Sequence, residues 1–301
     1  MRQLILIEAP SNLGLKEPMP GVEPGVKFFP AAMQKERLAE NAGIQKRILA
    51  EPPVYDGLTD KETGVKNAAK IIEYSKKLAD SIETQLKENI LAVVIGGDCS
   101  ILIGAALALK RNGSYGLFYL DGHTDYVLPQ QSGSGGAAGM DLAMITGNGP
   151  VKFTNMQNLR PYIKEENVFC CGNRDISEEW YVDAIEQSDI NYYDLSDMRS
   201  RGLKELASDF LTITASKDLD GFWIHFDVDV LNDEIMPCVD SRQEDGLSYK
   251  ELKEILLPLL ESPLCAGVNI TIFDPTLDVD GKYGKQLAAE LAGILKQVKA
   301  D

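Results

Sequence analysis

Short apolar runs recur along the chain, each followed by a turn and then by a stretch with helical spacing. The start, Met1 to Glu8, reads as a first strand built on Leu4-Ile5-Leu6-Ile7. Leu91-Ala92-Val93-Val94-Ile95 leads through Gly96-Gly97 into a helix-like Ser100 to Lys110, and Tyr115 to Leu120 follows after Asn112-Gly113. Further runs are Val168-Phe169-Cys170-Cys171, Gly221 to Val230 and Ala266 to Phe273, with helices predicted over about 62–88, 177–187, 202–215, 247–260 and 283–299. Strands that are apolar at successive positions are buried on both faces, and their alternation with helices predicts a parallel sheet between two helical layers. No repeat, low-complexity tract or linker divides the pattern, so a single three-layer αβα domain over residues 1–301 is expected. Ligands of such sheets bind beyond the carboxyl ends of the strands.

Composition narrows the function classes. With 44% hydrophobic and 25% charged residues the chain can bury a sizeable core. No run reaches the roughly 18 apolar residues of a membrane span, and the charged start reads as a strand and not as a signal peptide. Forty-six acidic against 30 basic residues give a net charge of −16. That balance opposes nucleic-acid binding, which needs clustered positive charge. It fits either a cationic ligand or simply an acidic surface. Five cysteines, an odd number, point to reduced thiols and a cytoplasmic location.

The chemistry-bearing residues sit where strands end. Tyr119-Leu120 runs into Asp121-Gly122-His123-Thr124-Asp125, and if this segment stays extended, positions 121, 123 and 125 share a face. Trp223-Ile224 runs into His225-Phe226-Asp227-Val228-Asp229, where positions 225, 227 and 229 would likewise share a face. A third strand ends in Gly96-Gly97-Asp98-Cys99-Ser100. Each motif alone could be a solvated turn. Together they argue for a metal site, because converging carboxylates need a cation. Oxygen-rich ligation with imidazole suits Mn²⁺, with Fe²⁺, Ni²⁺ or Zn²⁺ as alternatives. Asp98 itself is expected to accept backbone hydrogen bonds at a turn.

These motifs, in this order, resemble the ureohydrolase (arginase/agmatinase) superfamily. The resemblance extends to Ile7 through Gly14, Gly21-Val22-Glu23-Pro24-Gly25, Gly172-Asn173-Arg174-Asp175, Gly246 through Glu251 and Phe273-Asp274-Pro275. It implies a mostly parallel sheet of about eight strands and a homo-oligomer, trimer or hexamer. It also implies two Mn²⁺ ions whose bridging hydroxide cleaves a C–N bond of a guanidino, amidino or related small molecule. By position, Asp121 and Asp227 would bridge the metals, His123 and Asp229 would complete one shell and Asp125 the other. Asp125 would also help manage the hydroxide's proton.

Four departures from the family pattern stand out. Cys99 replaces a ligand histidine, and is either a thiolate ligand favouring thiophilic metals or a small buried residue. His225 replaces a serine, and is either the missing imidazole, a proton shuttle or a core histidine. Ala138 stands where arginases carry a shuttle histidine. Ile272 stands where the family clamps the guanidinium with glutamate, so that a cationic substrate would need another acid: Asp141, Glu244 or Asp274. Ser177 and Trp180 replace acids that follow the family arginine, here Arg174. Arg242 is either a carboxylate-binding residue or a surface arginine paired with Glu244. Gly133 through Ala138 matches Gly-x-Gly-x-x-Ala but lacks a preceding strand, so a loop beside the metal site is expected. The competing functions are a mononuclear deacetylase-like amidohydrolase and a non-catalytic metal-binding member.

Overall fold

The computed structural model describes residues 2–87, 89–175 and 179–298, so Ser177 lies outside the described residues. In chain order the strands are β1 (Gln3–Ala9), β2 (Lys46–Leu49), β3 (Ile90–Gly96), β4 (Tyr115–Leu120), β5 (Val168–Cys171), β6 (Asn191–Tyr193), β7 (Gly221–Asp227) and β8 (Cys265–Thr271). They form one sheet in the spatial order β2-β1-β3-β8-β7-β4-β5-β6, and every neighbouring pair is parallel. The apolar runs foresee six of these strands. β2 and β6 escape the pattern because they are short edges: Lys46-Arg47-Ile48-Leu49 is largely exposed and Asn191–Tyr193 only half-buried.

Side chains alternate across the sheet and so feed two cores. Leu91, Val93 and Ile95 of β3 enter one core while Ala92 and Val94 enter the other, and β4 splits Phe118 and Leu120 from Leu117 and Tyr119 in the same way. Cys170 and Cys171 likewise fall into opposite cores. Helices 203–216, 249–261 and 282–298 cover the first face; helices 68–83 and 101–112 cover the second. The helix expected over 62–88 is shorter. It begins at Ala68, because Gly64 takes a left-handed φ of 73° and Thr59 pairs with Lys66 in a turn. It then buries Ile71, Tyr74, Leu78 and Ile82 at helical spacing. Helix 249–261 starts on a capping box, Ser248 with Glu251.

The order of strands places the site. β7 and β8 insert between β3 and β4, so strand ends far apart in sequence become neighbours: β3, β8, β7, β4. The chain reverses its winding direction there, which opens a crevice at the carboxyl ends. Gly97 makes the close approach possible, since a Cβ on it would lie 1.6 Å from the Ser11 carbonyl oxygen.

Candidate metal centre and its pocket

Beyond β4 the chain does not stay extended. Gly122 and His123 form a bend, and Asp125 has a φ of 43°, so the expected common face of positions 121, 123 and 125 is not formed. After β7, Val228–Val230 make a single 3-10 turn, capped by the Asp227 carboxylate, which accepts from the Asp229 N–H at 2.7 Å. Only His225 and Asp227 therefore share the strand face. Asp229 swings across, and its Oδ1 accepts from the Gly122 N–H at 2.9 Å.

Two overlapping groups of ligand atoms result, each within 4.8 Å: Cys99, Asp121, His225 and Asp227, and Asp121, His123 and Asp229. Asp125 lies outside both groups. The four residues of the first group are all buried. The Cys99 thiol donates to Asp227 Oδ2 at 2.8 Å and lies 3.1 Å from Thr271 Oγ1. Burial and then the neighbouring carboxylates push Cys99, Asp227 and Asp125 well above their ordinary ranges. Burial acts the same way on Asp121, but the imidazoles of His123 and His225 overcome it and hold that carboxyl low. His123 is in turn raised, its desolvation outweighed by Asp229 and Asp121. Asp121 Oδ2 and His225 Nε2 are buried and lack hydrogen-bond partners. Close-packed acids, an orphaned carboxylate oxygen and a thiol fit a site for divalent metal.

The two histidines differ in what holds their second nitrogen. His123 Nδ1 faces Asp229 Oδ2 at 2.9 Å and Asp121 Oδ1 at 3.6 Å, while Nε2 meets the Ser241 hydroxyl at 3.1 Å. A hydroxyl can accept, so Nε2 can carry the proton and leave Nδ1 free for a metal. His225 is the reverse. The Trp223 indole, a donor only, donates to Asn269 Oδ1 at 2.7 Å, which fixes the Asn269 amide and points its Nδ2 at His225 Nδ1, 2.7 Å away. His225 Nδ1 must accept, so the proton resides on Nε2, which faces Asp121 Oδ2 at 3.6 Å. Tyr119 stacks on this ring with centroids 4.4 Å apart. Tyr119, His225 and Asn269 stand side by side on β4, β7 and β8 because the parallel register aligns them. Sequence reading misses Tyr119, Asn269 and Trp223, whose partners are one or two strands away.

A cavity of about 430 Å³ opens over the cluster, with Cys99, His123, Asp125, Asp227 and Asp229 in its wall. The expected glycine loop, including Gly133 and Gly136, lines it, as do Ala138, Trp180 and Ile272. Ile272 is buried with a φ of 76°, a left-handed conformation rare for a β-branched residue. Its N–H donates to the Gly97 carbonyl at 2.7 Å.

The residues considered for substrate lie elsewhere. Asp141 is wholly buried beneath Tyr119, whose hydroxyl lies 3.0 Å from Asp141 Oδ1 and 2.9 Å from Asp125 Oδ2. Asp274 is spent on the Gly25 and Thr276 N–H groups and the Thr276 hydroxyl. Arg242 forks onto Asp233 at 2.6 and 2.7 Å, not onto Glu244, and Glu244 lines a separate cavity beside Arg174. Arg174 itself donates to the Asp229 and Val230 carbonyls and so holds the turn that carries Asp229. Asp98 accepts from the Ser100 N–H and the Ser11 hydroxyl, as expected of a turn carboxylate.

A doubly covered parallel sheet whose central strands deliver carboxylates, an imidazole and a thiol to one buried point is an arginase-like α/β architecture. The chain belongs to the Arginase family, which matches residues 4–295. It is 27% identical over 290 residues to the arginase of Staphylococcus aureus (strain COL), covering 96% of this chain and 95% of that protein. The arginase of Bacillus subtilis (strain 168) is 27% identical over 279 residues, 91% of this chain and 93% of that one. The crystal structure of arginase from the same Bacillus subtilis strain superposes with a TM-score of 0.84 at 25% identity, with 98% of both chains covered. The formimidoylglutamase structure from that organism shares the fold, with a TM-score of 0.77 at 19% identity, over 100% of this chain and 88% of that one.

Proposed function

We propose that the protein is a metal-dependent hydrolase of a C–N bond in a small guanidino or amidino compound. The observation that carries this reading is the pair of ligand groups that share Asp121 at the floor of one pocket. Family membership and relatives named arginase and formimidoylglutamase supply the reaction class. Cys99, Asp121 and Asp227 would hold one ion and Asp121, His123 and Asp229 a second. The thiol tilts the first position toward Fe²⁺ or Zn²⁺, and the second suits Mn²⁺. When bound, two such ions supply Lewis-acid polarisation and lower the pKa of water.

The chain's own residues orient and move protons. His225, tied through Asn269 to Trp223, turns its Nε2–H toward Asp121 Oδ2 at 3.6 Å and adds positive polarity beside that carboxylate. Asp125 faces the pocket from above Tyr119, and its Oδ atoms serve as the proton acceptor and donor for the leaving nitrogen. We also place the protein in the cytoplasm, where thiols stay reduced, with all five cysteines free and buried in support, and expect a homo-oligomer from its likeness to the family. The test is elemental analysis after separate loading with Mn²⁺, Fe²⁺ and Zn²⁺ under reducing conditions, with release of urea or ammonia from a guanidino and amidino panel. Two metals per chain and turnover are expected, with metal lost in Asp121→Ala. One metal would point to mononuclear chemistry, and full metal content in Asp121→Ala would overturn the site.

A further inference from the structure

With Ile272 in the pocket wall, the metal centre lacks a carboxylate where a cationic substrate head would be clamped, and burying an amidinium or guanidinium against an apolar side chain is unfavourable. The acids at hand are otherwise committed. Asp227 and Asp229 belong to the metal groups, Asp125 to Tyr119, and Asp175, in the same lining, has interactions of its own. Asp141 and Asp274 do not reach the pocket.

Asp240 does reach it. Asp240 is one of its lining residues and is exposed, and no side chain among the described residues donates to its carboxylate. The loop that carries it is anchored at both ends of the residue. Ser241 touches His123 Nε2, and the Cys238 carbonyl accepts from the Asp274 N–H at 2.8 Å, which ties the loop to the segment just after Ile272. The backbone thus brings Asp240 to the same rim that Ile272 leaves apolar. We propose that Asp240 is the residue that selects a cationic, planar amidinium or guanidinium head, replacing the acid absent at position 272. Lys16 also lines the pocket, but Asp125, Asp175, Asp227, Asp229 and Asp240 outnumber it and make the pocket acidic overall.

This proposal rests on the hydrolase reading, and its test separates the two. Methylguanidinium and its neutral isostere N-methylurea are titrated calorimetrically into the Mn²⁺-loaded protein, with metal content measured on every sample. The wild type should prefer methylguanidinium by roughly tenfold or more, the scale of a charge-assisted pair. Asp240→Asn should erase the preference at unchanged metal content, and adding Ile272→Glu to that variant should restore it. Equal preference in Asp240→Asn and wild type, or none in the wild type, would overturn the assignment. Retained preference without turnover of any guanidino or amidino compound would overturn the hydrolase reading instead.

Discussion

Tyr119 has one hydroxyl proton and two carboxyl neighbours within 3.0 Å, Asp125 and Asp141. It can donate to only one of them, so the other carboxyl must be protonated and donate to the tyrosine oxygen. Burial, and then the Asp121 charge for Asp125 and the Asp125 and Asp121 charges for Asp141, raise both acids well above the usual carboxylate range, which is what such sharing requires. Tyr119→Phe leaves the buried Asp141 carboxyl and the half-buried Asp125 carboxyl facing a ring edge. It should lower stability by about 1–3 kcal/mol and reduce kcat more than it changes KM, with metal content intact. Chemical denaturation and steady-state kinetics on the loaded enzyme check both; loss of metal in this variant would mean that Tyr119 supports the ligands instead. Asp125 was legible from the sequence in a strand-end motif, and Asp141 only as one candidate acid for a cationic substrate. The hydroxyl between them was not, because Tyr119 looks like any apolar strand residue until helix 141–145 lays Asp141 against it.

At the level of elements, the site depends on how abruptly strands stop. β3 ends at Gly96, and the next residue must pass the β1 exit so closely that only glycine fits. Gly97→Ala should cost about 3 kcal/mol or more, since the obstacle is the Ser11 backbone and cannot rotate away. Urea unfolding would show it, and a variant of wild-type stability would mean that the Ser11 turn is loosely held. The β7 exit illustrates what pattern reading lacks. Period two puts 225, 227 and 229 on one face, whereas the 3-10 turn at Val228–Val230 sends Asp229 toward His123 instead. The strand's own residues do not decide where it ends. Arg174, arriving from beyond β5, fixes that turn by its two carbonyl contacts.

Across the whole molecule, a chain of net charge −16 gathers its most crowded acids at one buried point. Burial, and then Asp229 and Asp121, hold Asp227 above the ordinary carboxylate range. The folded chain therefore keeps a proton that the unfolded chain releases above about pH 4. Stability contributed by this group falls as pH rises from there, because the native state then binds more protons than the unfolded one. In metal-free protein, Asp227→Asn should thus gain on the wild type in urea midpoint as pH rises above about 4. A difference independent of pH would show that Asp227 ionises normally in the fold.

The amino-acid sequence by itself determined the alternation of strand and helix, the parallel sheet and the three acid-bearing strand ends. Those follow from local periodicity, which each segment carries within itself. Tertiary structure decided the rest: that β7 and β8 enter between β3 and β4, that Asp125 meets the Tyr119 hydroxyl, and that Asn269 turns His225 into a donor. It also brought Asp240, rather than Asp141 or Asp274, to the pocket. Each of these outcomes is set by partners on other strands and loops, and a hydrogen bond's direction or a side chain's exposure exists only once those partners are in place.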